Sequence, residues 1–344
     1  NLVDSHGKVT IIQKSDIESR ESTKTSPMPT GFDKQMSAQQ LADVVAWLRT
    51  KKVVGDPGGF SFQQKSDRLI VRLNNKPIMT YLKKHPQLTR RAFIEVRTPS
   101  GIQVTRPFPP KKGDHALMHP GLWIGFGDVN GNDYWRLRAK VVFDKFVGAP
   151  VGKKDTAEFT TRNRYLSRDG SQIVCEQTTR YRYRRVDQGI LMRIDATFQS
   201  NDRDFYFGDQ EESGLAVRVI EAIRVAGGNG TIVNSLGDRN GQKVWGKQAD
   251  WVDYFGKIDN RHVGVMIVPS PKNARKSWMH ARDYGVVVVN PFPRQPRERR
   301  EPYVKTWVKK GKPYRLSYAV LIHETAKELD RKKAYQMALK SLAN

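Results

Sequence analysis

Apolar and polar positions change rhythm once, near residue 54. Before it, Leu41, Val44, Val45 and Leu48 recur at i, i+3, i+4 and i+7, the signature of one helical face. Ser37 and Gln40 precede them at capping-box spacing, where each side chain meets the other residue's backbone N–H. Past residue 59 the period falls to two. Phe60-Ser61-Phe62, Leu69 to Leu73, Ala92 to Val96, Lys140 to Phe143, Gln172 to Glu176, Ile190 to Ile194, Val263 to Ile267 and Val286 to Val289 all read as strands. Asp169-Gly170, Gly227-Gly228-Asn229-Gly230 and Asn240-Gly241 read as the turns between them. Many short strands without interleaved helices predict a mainly β chain: a large antiparallel β-sandwich, supersandwich-like. A helical period returns over 324–342, where Ala326, Leu329, Ala334, Met337, Ala338 and Leu342 share a face. The expected class is therefore a β-sandwich with a short N-terminal helical fragment and a C-terminal helix.

Lys51 to Gly59 reads as a linker, with Gly, Pro and flanking charge. The expected division is 1–52, a linker over 53–60, and a β-sandwich domain over 61–344. A single helix with one apolar stripe has nothing to pack on within the first part, which therefore reads as the end of a small domain. Ahead of it, Ser26 to Gly31 forms a Pro-rich loop presenting Met28, by itself a packed loop residue. Arg294 to Arg300 reads as a mobile basic loop.

Charge sharpens this division. Residues 1–54 carry 8 basic and 6 acidic side chains, so nearly all of the +25 belongs to the rest of the chain. A polyanionic partner follows: acidic polysaccharide, nucleic acid or an anionic surface. No helix-turn-helix, zinc finger or RNP-like signature is present, and the basic-aromatic run Tyr181 to Arg185 alternates like an exposed strand, so specific nucleic-acid binding is disfavoured. No run of 18 apolar residues exists to span a membrane as a helix. A single cysteine, Cys175, excludes an internal disulfide, a Cys-rich zinc site and a Cys-x-x-Cys-His haem attachment.

Four segments carry candidate chemistry. Gly113 to Trp135 packs two His, three Asp, two Asn and two Trp into a Gly-rich stretch, poor material for a core and good material for a site. Its tryptophans, Trp123 and Trp135, suit stacking on sugar faces; its Asp-Val-Asn-Gly is also a good turn by itself. In Phe207 to Arg218, Glu211 and Glu212 point to opposite faces if extended, so only one can face a site. The inward one is desolvated, its pKa raised, and suited to acid–base work, with Arg218 to hold it or an anionic substrate. Asn234 to Tyr254 brings Trp245 and Lys247. In Trp278 to Pro291, His280, Arg282 and Tyr284 alternate onto one strand face. His titrates near neutrality and Arg grips carboxylate or sulfate. No His-x-His or His-Glu-x-x-His spacing supports a zinc site, which leaves metal dependence open, and Gly227 to Gly230 lacks the strand-to-helix context of a nucleotide loop.

Residues from about 60 to 323 resemble a bacterial family of unknown function often labelled "methane oxygenase PmoA". The stretches that carry the resemblance are HPGLWIGFGDVNGNDYWR, FGDQEESGLAVRV, VWGKQADWVDYFG and SWMHARDYGVVVVNPF. The label conflicts with the sequence, because a methane monooxygenase subunit needs membrane helices. The family pattern implies roles for His119, Asp128, Asn130, Trp135, Glu211, Glu212, Arg218, Trp245, Lys247, His280, Arg282, Tyr284 and Asn290. The chain departs from that pattern at Pro293 and at Asn273-Ala274-Arg275, on the rim of the expected site. The Met-Pro-x-Gly loop and the helix after it resemble the C-terminal end of a planctomycete- or verrucomicrobial-type c-type cytochrome domain, in which Met28 would be the axial haem ligand. The attachment motif is absent, so no haem or other cofactor is expected here. The same resemblance implies a periplasmic or secreted setting.

Two readings from different classes follow. In the first, the chain is a carbohydrate-active protein acting on an acidic sugar or polysaccharide, as lyase, hydrolase or epimerase. His119 or His280 is the acid, Glu211 or Glu212 the base, and Tyr284 a further candidate base, while Trp123, Asp128, Asn130, Trp135, Arg218, Trp245, Lys247, Arg282 and Asn290 bind substrate. In the second, it is a non-catalytic module for anionic polysaccharide or cell surface, using the same charge and tryptophans.

Overall fold

The computed structural model describes residues 36–43, 53–110, 115–292 and 303–343, together with the backbone pairing of Leu2–Val3 with Val9–Thr10. The chain divides into two compact units, 1–52 and 53–344. In the first, residues 38–43 are helical and the capping box forms: Ser37 N donates to Gln40 Oε1 at 2.8 Å and Gln40 N to Ser37 Oγ at 3.1 Å. Val44, Val45, Leu48, the Met28 loop and the Arg294 to Arg300 run lie outside the described residues.

The second unit is an antiparallel sandwich of two large sheets. The first, ten-stranded, runs in the order Lys247–Gln248, Trp278–Arg282, Val286–Asn290, Ser213–Arg218, Leu122–Phe126, Ala92–Ile94, Lys76–Leu82, Arg68–Leu73, Phe60–Gln64, Val53–Gly55. The second, nine-stranded, is built on the long neighbours Thr156–Leu166, Ile173–Val186, Gly189–Gln199 and Tyr314–Thr325, continued by Arg261–Pro269, Val252–Ile258 and Thr231–Asn234. Strict alternation is the cause. Along Thr156–Leu166 every second side chain is buried, so one face turns to the core and the other to water. The buried sets interlock as aromatics: Phe62 meets Phe159 with centroids 5.7 Å apart, and Phe93 meets Tyr181 at 5.0 Å. Each such ring contributes roughly 1.5–3 kcal/mol by leaving water. The lone thiol, Cys175, belongs to this core, and burial pushes its pKa up.

Three local expectations are corrected. Part of the 53–60 stretch is strand, because Val53–Gly55 pairs with Phe60–Gln64 across the turn. Asn240-Gly241 opens a short helix, Asn240–Val244, rather than a hairpin; Asn240 takes φ 61° and the Asp283 carboxylate accepts from Gly241 N at 2.7 Å. The C-terminal helix begins at Arg331, not 324, because Glu324 and Thr325 still pair with Val263 and His262. Asp330 caps it, accepting from Lys333 N at 3.0 Å. That helix lays Ala334, Ala338 and Leu342 on Leu191, Met266, Val268, Ala319 and Leu321, the apolar part of the second sheet's outer face. No helix among the described residues is long and apolar enough to cross a membrane.

Candidate functional site

The outer face of the ten-stranded sheet gathers most of the candidate residues. Met279 and Ala281 of Trp278–Arg282 enter the sandwich core, so His280 and Arg282 emerge on the other side. Next to them, Val287 and Val289 face the core while Val286 and Val288 face out. The register sets His280 beside Val288, Val288 beside Ala216 and Ala216 beside Trp123, one lateral row across four strands. Arg282, Val286 and Arg218 form the next row, and Trp278, Asn290 and Leu215's neighbour Gly214 lie toward the strands' other end.

One centre of this face is Glu211. His280 Nδ1 stands 2.6 Å from Glu211 Oε1, close but not aligned as a hydrogen bond. Arg282 donates to the same oxygen at 2.9 Å. The Arg282 guanidinium lies 3.6 Å from the centre of the Trp245 ring, and Trp245 in turn sits 6.2 Å from the His280 ring. A contact of this cation–π type is worth about 0.5–2 kcal/mol, and here it fixes which way the guanidinium faces. Buried Asn290 donates to the carbonyls of Gln210 at 2.8 Å and Glu211 at 3.3 Å, holding the backbone that carries the carboxylate. Burial pushes the Glu211 carboxyl up, but His280 and Arg282 outweigh it and hold the group below its ordinary value. The sequence-based expectation of a raised pKa is corrected: burial is there, and Arg282 and His280 beside it win.

The second centre is a column of stacked rings. His119 stacks on Trp123 at 5.4 Å and lies nearly parallel to Tyr284 at 6.4 Å, while Trp135 meets Trp123 at 5.3 Å. Tyr284 is in the turn after Arg282, not in the strand as its spacing implied, yet its ring stays on this face. The fully buried Arg218 guanidinium lies 4.6 Å from the Tyr284 ring centre. Burial first, then the positive charges of Arg218 and Arg90, push His119 down to about 2. Its imidazole is thus neutral at any ordinary pH, which removes it as the general acid expected from sequence. Buried His119 Nδ1 and Trp123 Nε1 have no hydrogen-bond partner among the described residues.

The structure separates the remaining candidates from both centres. Glu212 turns from its neighbour Glu211 and pairs with Arg136 at 2.7 Å, which also holds Asp133. Both residues lie in a bend ahead of Ser213–Arg218, so strand alternation does not part them, and Glu212 is corrected from candidate base to ion-pair partner. Asp128 Oδ1 accepts from Gly131 N at 2.7 Å, and Asn130 adopts φ 52°. These two residues build a turn, as Asp-Val-Asn-Gly does in general, rather than the floor of the site. Lys247 is exposed and stands opposite Met279, whose side chain points into the core, so Lys247 projects away from the His280 face.

Two contributors are absent from the sequence-based candidates. Arg90 is buried with its guanidinium 5.1 Å from the Trp123 ring and 5.6 Å from that of Trp135, and it donates to the carbonyls of Trp135 and Met118. Burial lowers its pKa to about 9. Nothing local in Thr89-Arg90-Arg91 announces this, since its partners lie some 28 to 45 residues away. His115, which stacks on Tyr284 at 5.3 Å, did sit within the polar-aromatic segment and was legible there. Among the described residues no group of three or more His, Cys, Asp or Glu is placed to hold a metal ion.

The chain belongs to the family of unknown function DUF6807, whose profile matches residues 68–338. Among curated proteins none matches it. Among solved structures, a galactose mutarotase-like protein from Lactobacillus casei is similar over 77% of this chain and 100% of its own, at 10% identity and a TM-score of 0.38. The galactosidase domain of an alpha-galactosidase–sucrose kinase is similar over 80% of this chain and 42% of its own, at 8% identity and a TM-score of 0.40.

Proposed function

We propose that this DUF6807 chain is a carbohydrate-active protein whose outer sheet face performs single-base proton transfer on a sugar. The observation that carries the reading is the Glu211 carboxylate, half-buried, held by His280 and Arg282 and flanked by Trp245. A carboxylate kept below its ordinary pKa is ionised at neutral pH, and so acts as a base rather than an acid. Glu211 takes the proton and, as the carboxylic acid, returns it to another substrate atom, while His280 in contact with it holds the carboxylate in place. Arg282 offsets negative charge that builds up as the proton leaves. A sugar meets the rest of the face through its C–H side, which packs on the part-exposed Trp245 indole.

The geometry favours epimerisation or β-elimination over hydrolysis. Hydrolysis needs two carboxyl groups facing one bond, about 5–10 Å apart. Glu212, the nearest second carboxylate in sequence, is committed to Arg136 instead. An acidic sugar as substrate and a periplasmic or secreted setting belong to the same reading, the first supported by the excess positive charge.

The test combines an NMR assay of sugar epimerisation with an absorbance assay for unsaturated glycan products. Glu211→Gln is expected to lower turnover about 10²- to 10⁴-fold while sugar binding persists. Equal loss in Glu212→Gln would overturn the single-base assignment. Binding that survives in both Glu211→Gln and His280→Ala, with no turnover in the parent protein, would establish the non-catalytic binding module instead.

A further inference from the structure

The opposite face of the sandwich carries a second feature that the proposed chemistry does not use. A groove of about 360 Å³ opens on the outer side of the nine-stranded sheet, beside the end of the C-terminal helix; Lys153, Glu158, Arg182, Arg184, Arg193 and Ser341 line it. Alternation along Ile173–Val186 sends Arg180, Arg182 and Arg184 out on one side. The register sets Arg182 directly opposite Arg193 on the neighbouring strand. Like charges in that position repel, and the sheet tolerates them because Asp195 is shared, 3.0 Å from Arg182 and 2.8 Å from Arg193.

The charge count does not close. Four cations line the groove against one carboxylate, Glu158, and that one already pairs with Arg180 outside it. Asp195 serves two guanidinium groups at once. Neither Lys153 nor Arg184 has a carboxylate partner among the described residues. Lys153 is nonetheless fixed at its backbone: its carbonyl accepts from Phe60 N and its N–H donates to Thr156, both at 2.8 Å. A Cβ on Gly59 would stand 2.3 Å from Lys154 Cα, so this corner of the hairpin is tightly seated.

We infer that this groove is an oxyanion-binding track that docks a sulfate- or carboxylate-bearing glycan chain at a distance from the Glu211 face. Charge complementarity selects an anion, since the positive balance of Lys153, Arg182, Arg184 and Arg193 is available to it. Shape and lining select the glycan over single-stranded nucleic acid. Among the described residues the one aromatic lining the groove, Tyr183, is buried, which leaves no platform there for stacking bases. The inference stands whether or not Glu211 is a catalytic base.

The experiment measures affinity of the whole chain for a short heparin oligosaccharide by calorimetry, with a single-stranded DNA oligonucleotide of similar charge in parallel. Lys153→Glu with Arg184→Glu is expected to weaken heparin binding about tenfold or more. Lys257→Glu with Lys312→Glu, an equal change of net charge at exposed positions outside the groove, is expected to change it about twofold or less. Thermal unfolding checks that each variant folds, and Lys153→Gln with Arg184→Gln gives a milder second reading. Equal weakening in both charge-reversal pairs would overturn the groove in favour of diffuse net-charge attraction. DNA that binds as tightly and falls in parallel would overturn the glycan assignment. Glu211→Gln leaving heparin affinity unchanged separates this site from the proposed active face.

Discussion

At the scale of single residues, the site is governed by which of two opposing effects wins. Burial acts on both Glu211 and His119, yet the outcomes differ. Glu211 has His280 and Arg282 in contact and stays ionised; His119 has cations for neighbours, so burial and repulsion act together on it. The His119 prediction is a stability effect. Its folded pKa lies below the unfolded value, so the unfolded chain binds the extra proton as pH falls through about 6.5. Stability linked to this residue is full above that pH and is lost progressively on acidification toward about 2. Between pH 8 and 5 the parent protein should lose about 2 kcal/mol more than His119→Gln, read from denaturant titrations at both pH values. Identical pH slopes in the two proteins would show that His119 is not desolvated as described. For Glu211 the prediction concerns activity. Arg282→Met removes the guanidinium that helps hold the carboxyl down, so the acid limb of the pH–rate profile should move to higher pH. An unmoved limb would mean that the titrating group is not Glu211. These environments could not be read from sequence, because Arg90, Arg218 and His280 reach the two centres from strands and loops far apart in the chain.

At the scale of elements, alternation was legible and exceptions to it were not. The period-two reading of Trp278–Arg282 correctly put His280 and Arg282 on one face, while Tyr284 reached that face from a turn. The Asp128 segment went the other way: its polar density came from turn geometry, and the sequence alone left both meanings open. A glycine decides whether the central strands of the site can pair. Gly214 has φ 115°, and a Cβ there would lie 2.1 Å from the Val289 carbonyl oxygen. Gly214→Ala therefore forces Ser213–Arg218 away from Val286–Asn290 and should cost about 3 kcal/mol or more in thermal or denaturant unfolding. A loss below about 1 kcal/mol would show that the strands adjust without strain. The C-terminal helix illustrates the same limit at its start. Its apolar spacing was visible, but strand pairing through Thr325 and the Asp330 cap fixed where it began.

At the scale of the whole molecule, the three apolar clusters formed among the described residues lie within residues 53–344. A chain of residues 53–344 alone is accordingly expected to unfold cooperatively at a midpoint within a few degrees of the full chain's; a drop of more than about 10 °C would show that residues 1–52 contribute to its core. The sequence by itself determined the class of this protein. Period-two burial demands sheets with one wet and one dry face, the scarcity of long helical periods leaves only sheet-on-sheet packing to bury them, and the charge follows the β part of the chain. It also marked the segments from which the site is drawn, because Gly-rich backbone crowded with His, Asp and Trp is costly in a core. Only the tertiary structure decided which members of those segments meet. Register sets His280, Arg282, Arg218 and Trp123 on one face, a bend parts Glu211 from Glu212, and pairing with Met279 turns Lys247 to the far side. The physical reason is that side-chain direction is a local property of the chain, whereas desolvation and charge pairing depend on neighbours that strand pairing alone brings together.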